Sequence, residues 1–455
     1  MSSSADSAEV VVFAPCSYTS ANKGDAALFH AMAALLTEEM GPVRVVTTSF
    51  TPSVDSLRYG VEALRMPLAP DSRLANTLYR WRRTRNRIGR VVPYLVAGQL
   101  LAYIGTMRVW AAVWRIAPRP ARRLLPRDQR ALTDAIASAR VVAAVPGGYL
   151  MAPTVGHYHW LYHAATLALC SLMDRTIVLL PGSYGPFLGF HRRVARSVFA
   201  RCELVMAREH ISAEEVLALG VPSRYVKLVA DTAYLLDDDS GVAELEELGI
   251  GRKLPTSGLV GVSVMRHDFP GCADAQVAQD AYVDAVARAL DWCVEHADAT
   301  PVFVTQVEGD GEVSAAVIAR MRHSAQALTI DHDLSPFGLK ALYGKFDLMV
   351  ASRIHAAVLA MAAGVPAVAI GYEHKCAGIM DQAGLGEYVV PITEPDRVPA
   401  VVAKAWARCG SNRQVLAAAL PTLRNSARQA GRDVAALCGG AGDGPDAPLR
   451  TRCSG

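Results

Sequence analysis

Arg353 and His355 stand two residues apart in the run SRIHAAVLAMAAGVPAVAIGYEHK, where an apolar stretch gives way to a second one. A guanidinium can grip a carboxylate or phosphate through two parallel hydrogen bonds, and an imidazole exchanges a proton near neutral pH. The run LMVAS before them reads as a buried strand and the alanine-rich run after them as a helix. The pair, with Ser352 beside it, therefore falls at a helix N-terminus, whose backbone N–H groups favour anions. Glu373 and Lys375 follow the next strand in GYEHK, and Arg208 follows the strand LVMA. Several cations at strand ends predict a small, doubly anionic ligand. The plainer alternative is an arginine paired with a backbone carbonyl and a satisfied core histidine.

Other loops after apolar runs carry polar or glycine residues. Asn22, Lys23, Gly24 and Asp25 sit between the first strand and a helix marked by Ala27, Leu28, Met32, Leu35 and Leu36. Gly24 permits close approach of backbone, and Asp25 suits the positive helix end and can take a proton from a hydroxyl. Alternatively Asn22 or Asp25 only caps the helix. Gly147 and Gly148 follow the strand of RVVAAVPGG, and Gly182, Ser183 and Gly185 occupy LLPGSYGPF, where tight turns are the common role. In AREHISAEEVLALG, Ser212 and Glu215 have the spacing of a capping box. The first strand is followed by neither G-x-G-x-x-G nor a P-loop, which removes support for nicotinamide or P-loop chemistry.

These loops need strands to carry them. Short β-branched runs, each followed by a helical pattern, begin near Val11, Val43, Arg140, Thr176 and Leu204, and a second series begins near Leu259, Pro301, Ala327, Leu348 and Ala367. Such alternation predicts parallel strands with crossover helices, hence an α/β protein of two Rossmann-like, doubly wound halves. In such sheets ligands bind beyond the carboxyl ends of the strands. The expected organisation is an N-terminal domain over 8–240, a C-terminal domain over 255–410, a helix over 411–438 and a flexible tail over 440–455.

A basic, apolar insert at about 71–130 interrupts the first half. It holds 14 arginines against Asp71 and Asp128, while residues 91–107 carry no charge. Pro93 and Arg108 leave it marginal as a membrane span, which needs about 20 apolar residues. Arginines with Trp81, Trp110 and Trp114 suit peripheral contact with an anionic membrane through 78–118, or else a helical excursion packed on its own domain. Nothing matches a nucleic-acid-binding module, and no nucleic acid partner is expected.

Composition supports this frame. Apolar residues make up 51% and charged residues 20% of 455, which excludes a disordered chain and exceeds one core. Nine scattered cysteines have no C-x-x-C or Cys/His spacing, so no metal site and a reducing compartment are expected. MSSSADSAEV lacks the features of a secretory signal, and the expected location is cytoplasmic, with peripheral contact at the inner face of the plasma membrane.

Taken in order, N-x-G-D at Asn22–Asp25, the glycines 147 and 148, PGSYGPF, AREHISAEEVLALG, VADTAYLL and SRIHAAVLAMAAGVP with GYEHK resemble the polysaccharide pyruvyl transferase family. The resemblance implies two Rossmann-like halves facing a cleft in the GT-B manner. It implies transfer of the enolpyruvyl unit of phosphoenolpyruvate to a sugar diol of a glycan or glycolipid as a cyclic ketal. Phosphoenolpyruvate is then a donor substrate, no cofactor is needed, and a sugar or lipid-linked glycan is the acceptor. Arg353, Arg208, Ser352 and Lys375 are expected at the donor, His355 and Asp25 as catalytic groups, and Asn22, Lys23, Gly24, Gly147, Gly148 and Glu373 on the acceptor side. The basic insert lies outside this pattern. The alternatives are a GT-B glycosyltransferase using a nucleotide sugar and a membrane-docked protein of this fold without activity.

Overall fold

The computed structural model describes residues 10–15, 22–68, 87–145, 147–154, 157–236, 239–252, 254–256, 258–270, 272–307, 309–373 and 375–439. The chain divides into two compact units. The first comprises Met1–Ser20, Met32–Val229 and Arg428–Gly455; the second comprises Ala21–Ala31 and Ala230–Ala427. Membership thus does not follow the linear split: the segment with Asn22–Asp25 belongs to the second unit. The expected tail, 440–455, and the insert residues 71–86, with Trp81, lie outside the described residues.

The first unit is built on strands β1 (Val10–Ala14), β2 (Val43–Ser49), β3 (Glu62–Arg65), β4 (Val141–Ala144), β5 (Ile177–Gly182), β6 (Leu204–Ala207) and β7 (Val226–Leu228). They form one parallel sheet in the order β3-β2-β1-β4-β5-β6-β7. Every residue of β4, β5 and β6 is buried. Helices on both faces explain why these strands read as unbroken apolar runs rather than alternating ones.

The second unit has β8 (Leu259–Ser263), β9 (Thr300–Val304), β10 (Leu328–Ile330), β11 (Leu348–Ala351), β12 (Ala367–Gly371) and β13 (Val389–Pro391). They are parallel and ordered β10-β9-β8-β11-β12-β13. Ser263 pairs with Ala351 where β8 and β11 meet, the point at which strand order reverses.

The ten strands expected from sequence are present, and three more, β3, β7 and β13, complete the sheets. All three lie at sheet edges. They are three or four residues long and mix charged or proline residues with apolar ones, which leaves little apolar signal.

Residues Arg87–Ile116 of the insert form a single 30-residue helix. Val92, Val96, Leu100, Tyr103, Met107 and Trp110 recur on one face and join the core of the first unit, next to the helix Trp160–Leu172. On that face the expectation of packing on its own domain is met.

His163, in the helix Trp160–Leu172, lies buried between the rings of Tyr149 (5.3 Å) and Phe50 (6.2 Å). Its Nδ1 has no hydrogen-bond partner among the described residues. Burial, with a smaller contribution from His159, pushes its pKa down to about 3. The unfolded chain therefore binds a proton near pH 6.5 that the folded unit refuses until about pH 3, so stability is lost as pH falls through that window. His163→Phe is expected to flatten this dependence. Urea midpoints compared across the window check it, and equal slopes for the two proteins would contradict it.

Candidate functional site

In the second unit the sheet reverses order between β8 and β11, and the chemistry-bearing residues collect at the carboxyl ends of these strands and their neighbours, where doubly wound sheets bind ligands. The Ser352 amide donates to the carbonyl of Ser263 at 2.7 Å, and the Ser352 hydroxyl meets the Tyr282 hydroxyl at 2.6 Å. Burial pushes the Tyr282 phenol up to about 12. Ser352 is thus held as a strut between two strands and the helix Ala275–Ala297.

Arg353 follows, as the residue preceding the buried helix Ile354–Ala362. Its Nε and Nη2 donate to the two carboxylate oxygens of Asp310 at 2.9 and 2.7 Å. Asp310 opens the helix Asp310–Arg320 beyond β9. The Arg353 side chain is 23% exposed and that of Asp310 only 4%. Burial raises the Asp310 carboxyl, and the guanidinium opposes that rise. Burial is the largest single influence and lowers Arg353, but the hydrogen bonds and charge of Asp310, with Tyr372 and Tyr282, together outweigh it and hold it above the ordinary value. Asp310 thereby fixes one edge of the guanidinium, while Nη1 makes no hydrogen bond among the described residues.

His355 is buried in the first turn of the same helix. Its Nε2 lies 4.0 Å from Asp231 Oδ2, and Asp231 Oδ1 accepts the Ala233 amide at 2.9 Å. The backbone of Gly24 lies directly against the imidazole: a Cβ at residue 24 would sit 2.4 Å from Nδ1 of His355. The Asn22 carboxamide accepts the Gly24 amide at 3.1 Å, the Asn22 carbonyl accepts Asp25 N, and Asn22 forms an antiparallel bridge with Val307. The helix begins at Lys23, so Lys23, Gly24 and Asp25 lie in its first turn rather than in a loop, and Asn22 caps it. Asp25 is buried, and Lys23 Nζ pairs with Asp333 at 2.9 Å.

Lys375 begins the helix Lys375–Gln382 after β12, pairs with Glu373 at 2.6 Å and stands 5.3 Å over the ring of Tyr372. Tyr372 is close enough to Arg353 to feel its charge, although burial is the main cause of its raised pKa. Gln306, 1% exposed beyond β9, has neither amide atom in a hydrogen bond among the described residues, although its carbonyl accepts Lys23 N at 3.4 Å. A buried amide left so costs on the order of 1–3 kcal/mol, which a polar ligand would recover. Asp310 and Gln306 escape sequence reading, and Asp231 enters it only within the run VADTAYLL, without a role of its own. The position of Asp310 in GDG, just past a strand, is a further signal.

In the first unit Gly147 follows β4 at the corresponding reversal of strand order. It has φ of 50°, and its carbonyl accepts the Ser183 amide at 2.8 Å. Gly148 is the next residue of that turn, half-buried. Arg208 Nε donates to the Ser183 hydroxyl at 2.9 Å, linking the ends of β4, β5 and β6. The Arg208 side chain is wholly buried there. The capping box is corrected. The helix His210–Ala218 starts earlier, with Glu209 as its cap accepting the Ser212 amide at 3.0 Å, and Ser212 instead lies inside the first turn, where its hydroxyl accepts Tyr184 N at 2.8 Å.

A family model described as polysaccharide pyruvyl transferase matches residues 22–374. The amylovoran biosynthesis protein AmsJ of Erwinia amylovora is 27% identical over 229 residues, covering 48% of this chain and 55% of AmsJ. The chain therefore aligns with about half the length of that curated relative. A UDP-GlcNAc 2-epimerase from Neisseria meningitidis, solved bound to UDP-GlcNAc, has a TM-score of 0.55 at 9% identity, over 94% of this chain and 99% of that one. Anabaena Alr3699/HepE, solved with UDP, has a TM-score of 0.52 at 12% identity, over 94% and 99%. At such identities the likeness is one of fold: a GT-B-like α/β architecture of two parallel sheets.

Gly24→Ala is expected to cost about 1–3 kcal/mol, because the added methyl must displace a buried ring. Urea unfolding measures it, and an unchanged midpoint would contradict the contact with His355.

Proposed function

Because the chain belongs to the polysaccharide pyruvyl transferase family, we propose that it transfers the enolpyruvyl unit of phosphoenolpyruvate to two hydroxyls of a glycan or glycolipid and releases phosphate. Family membership supports a pyruvyl-transfer role in polysaccharide biosynthesis. The donor, the ketal product and the residue roles are our reading. The observation that supports it most is the packing of the Gly24 backbone against His355, which gathers the N-x-G-D and R-x-H motifs in one unit.

The donor carries a carboxylate and a phosphate. Arg353, oriented by Asp310, offers its remaining edge to one of them. The partners of Lys23 and Lys375, Asp333 and Glu373, have side chains 61% and 26% exposed. Asp333 faces solvent, so its pair with Lys23 is weak and can open, whereas Glu373 Oε2 is sealed from solvent against Lys375, and an anion arriving there must take the place of a desolvated partner. We assign Lys375 and Ser352 to the donor, and Asn22, Lys23, Gly24, Gly147, Gly148 and Glu373 to the acceptor side.

His355 delivers a proton to C3 of the enol, leaving C2 oxocarbenium-like. The first sugar hydroxyl adds to C2 and gives its proton to Asp25. Loss of phosphate regenerates an oxocarbenium centre, and the second hydroxyl closes the ketal. Two hydroxyl protons are released in all; one balances the proton placed on C3 and the other leaves on inorganic phosphate. Asp231 Oδ2 stands 4.0 Å from the imidazole Nε2. Supply of phosphoenolpyruvate puts the reaction in the cytoplasm.

Phosphate release from phosphoenolpyruvate in the presence of a panel of pyranosides tests this reading. His355→Ala is expected to lower turnover by roughly 10²- to 10⁴-fold with a smaller change in KM, and Arg353→Ala to raise KM for phosphoenolpyruvate. Unchanged turnover in the first variant would remove His355 from the reaction. The resemblance also implies an anion contact for Arg208. Its burial on Ser183 supports a bracing role, and Arg208→Lys with an unaltered KM would leave it that role alone. Release of nucleoside diphosphate from UDP-glucose, without phosphate release from phosphoenolpyruvate, would move the reading to glycosyl transfer.

A further inference from the structure

The helix Arg87–Ile116 has two apolar faces, and the core of the first unit uses only one of them. On the other, Tyr94, Leu101, Val109 and Ile116 recur every seven or eight residues, about two turns, and are 59%, 71%, 69% and 87% exposed. Leu95 beside them is 62% exposed. Gly98, Ala102, Gly105 and Ala112 fill the stripe between them and are exposed as well. Isolated exposed leucines are ordinary, but a continuous apolar stripe along a 30-residue helix marks an interaction surface.

Charge identifies what it meets. Arg108 lies in the helix itself, and Arg119, Arg123 and Arg127 follow closely after its end in sequence; all four are exposed and make no ion pair among the described residues. Arg115 and Arg122, by contrast, are held by Asp174 and Asp134. The helix Arg87–Ile116 contains arginines and no acidic residue, so a second copy of it would be repelled, whereas an anionic surface would be attracted. Length and composition alone would let Tyr94–Ile116 cross a bilayer. Crossing would strip Val96, Leu100, Tyr103, Met107 and Trp110 from the core they help form.

We propose that this outward face lies in the plane of an anionic lipid bilayer, its apolar stripe among the acyl chains and its unpaired arginines at the headgroups. The inference stands without the pyruvyl-transfer reading. If that reading also holds, the surface brings the enzyme to a lipid-linked acceptor.

Sedimentation of the full chain with phosphatidylcholine vesicles, with and without phosphatidylglycerol, tests it. The protein is expected to sediment with the anionic vesicles and to be released by salt. The double variant Leu101→Glu, Val109→Glu and the quadruple variant Arg108→Gln, Arg119→Gln, Arg123→Gln, Arg127→Gln should each lower partitioning at least about tenfold. Both alter exposed positions, so thermal midpoints should hold, and the arginine set keeps the test valid if the glutamates disturb the helix. Absence of binding to anionic vesicles, equal binding to neutral ones, or binding untouched by either variant would overturn the proposal. So would lipid-independent self-association that the glutamates abolish, since the face would then belong to a second copy.

Discussion

The contact on which the second unit's site depends is the approach of the Gly24 backbone to the ring of His355. No side chain fits between them, since even a Cβ would overlap the imidazole at 2.4 Å. Residue 24 is therefore glycine because of a residue more than three hundred positions away, not because of its own turn. The contact draws the first turn of Lys23–Met40 into a unit otherwise formed by Ala230–Ala427. It also sets a buried carboxylate, Asp25, one residue from the ring's neighbour.

The cations of the second unit differ in how they are held. Arg353 is locked by a carboxylate that is itself buried, so its orientation is set before any ligand arrives. Lys23 and Lys375 are buried but pair with carboxylates that face solvent to differing degrees. Arg353 is thus fixed in orientation, the Lys23–Asp333 pair is open to solvent on its carboxylate side, and Lys375 is sealed against Glu373 Oε2. In the first unit the equivalent strand ends are braced internally instead, with Arg208 closing on Ser183 and the Gly147 carbonyl accepting from Ser183.

Much of this was legible in the sequence. Buried parallel strands announce themselves as unbroken apolar runs, so β4, β5, β8 and β11 could be read directly, and with them the loops that carry Gly147, Ser183 and Arg353. The edge strands β3, β7 and β13 could not, because half-solvated segments such as EALR and VKL have no distinctive pattern. Helix starts were misplaced by three residues at Lys23 and His210, where a cap depends on backbone geometry rather than residue type. The partners of the recognised residues were hidden for a different reason. Asp310 lies 43 positions from Arg353 and Asp231 more than a hundred from His355, and only the sheet order brings them together. Arg208 was legible as a cation at a strand end, but its hydrogen bond to Ser183 on the neighbouring strand end was not.

On our proposal, the second unit's cations bind phosphoenolpyruvate rather than a nucleotide sugar. Calorimetric titration of the purified protein with phosphoenolpyruvate, set beside the same titration with UDP-glucose, tests it most directly. The account predicts saturable heat with phosphoenolpyruvate that is lost in Arg353→Ala and no saturable heat with UDP-glucose. Silence with phosphoenolpyruvate and saturation with UDP-glucose would contradict it.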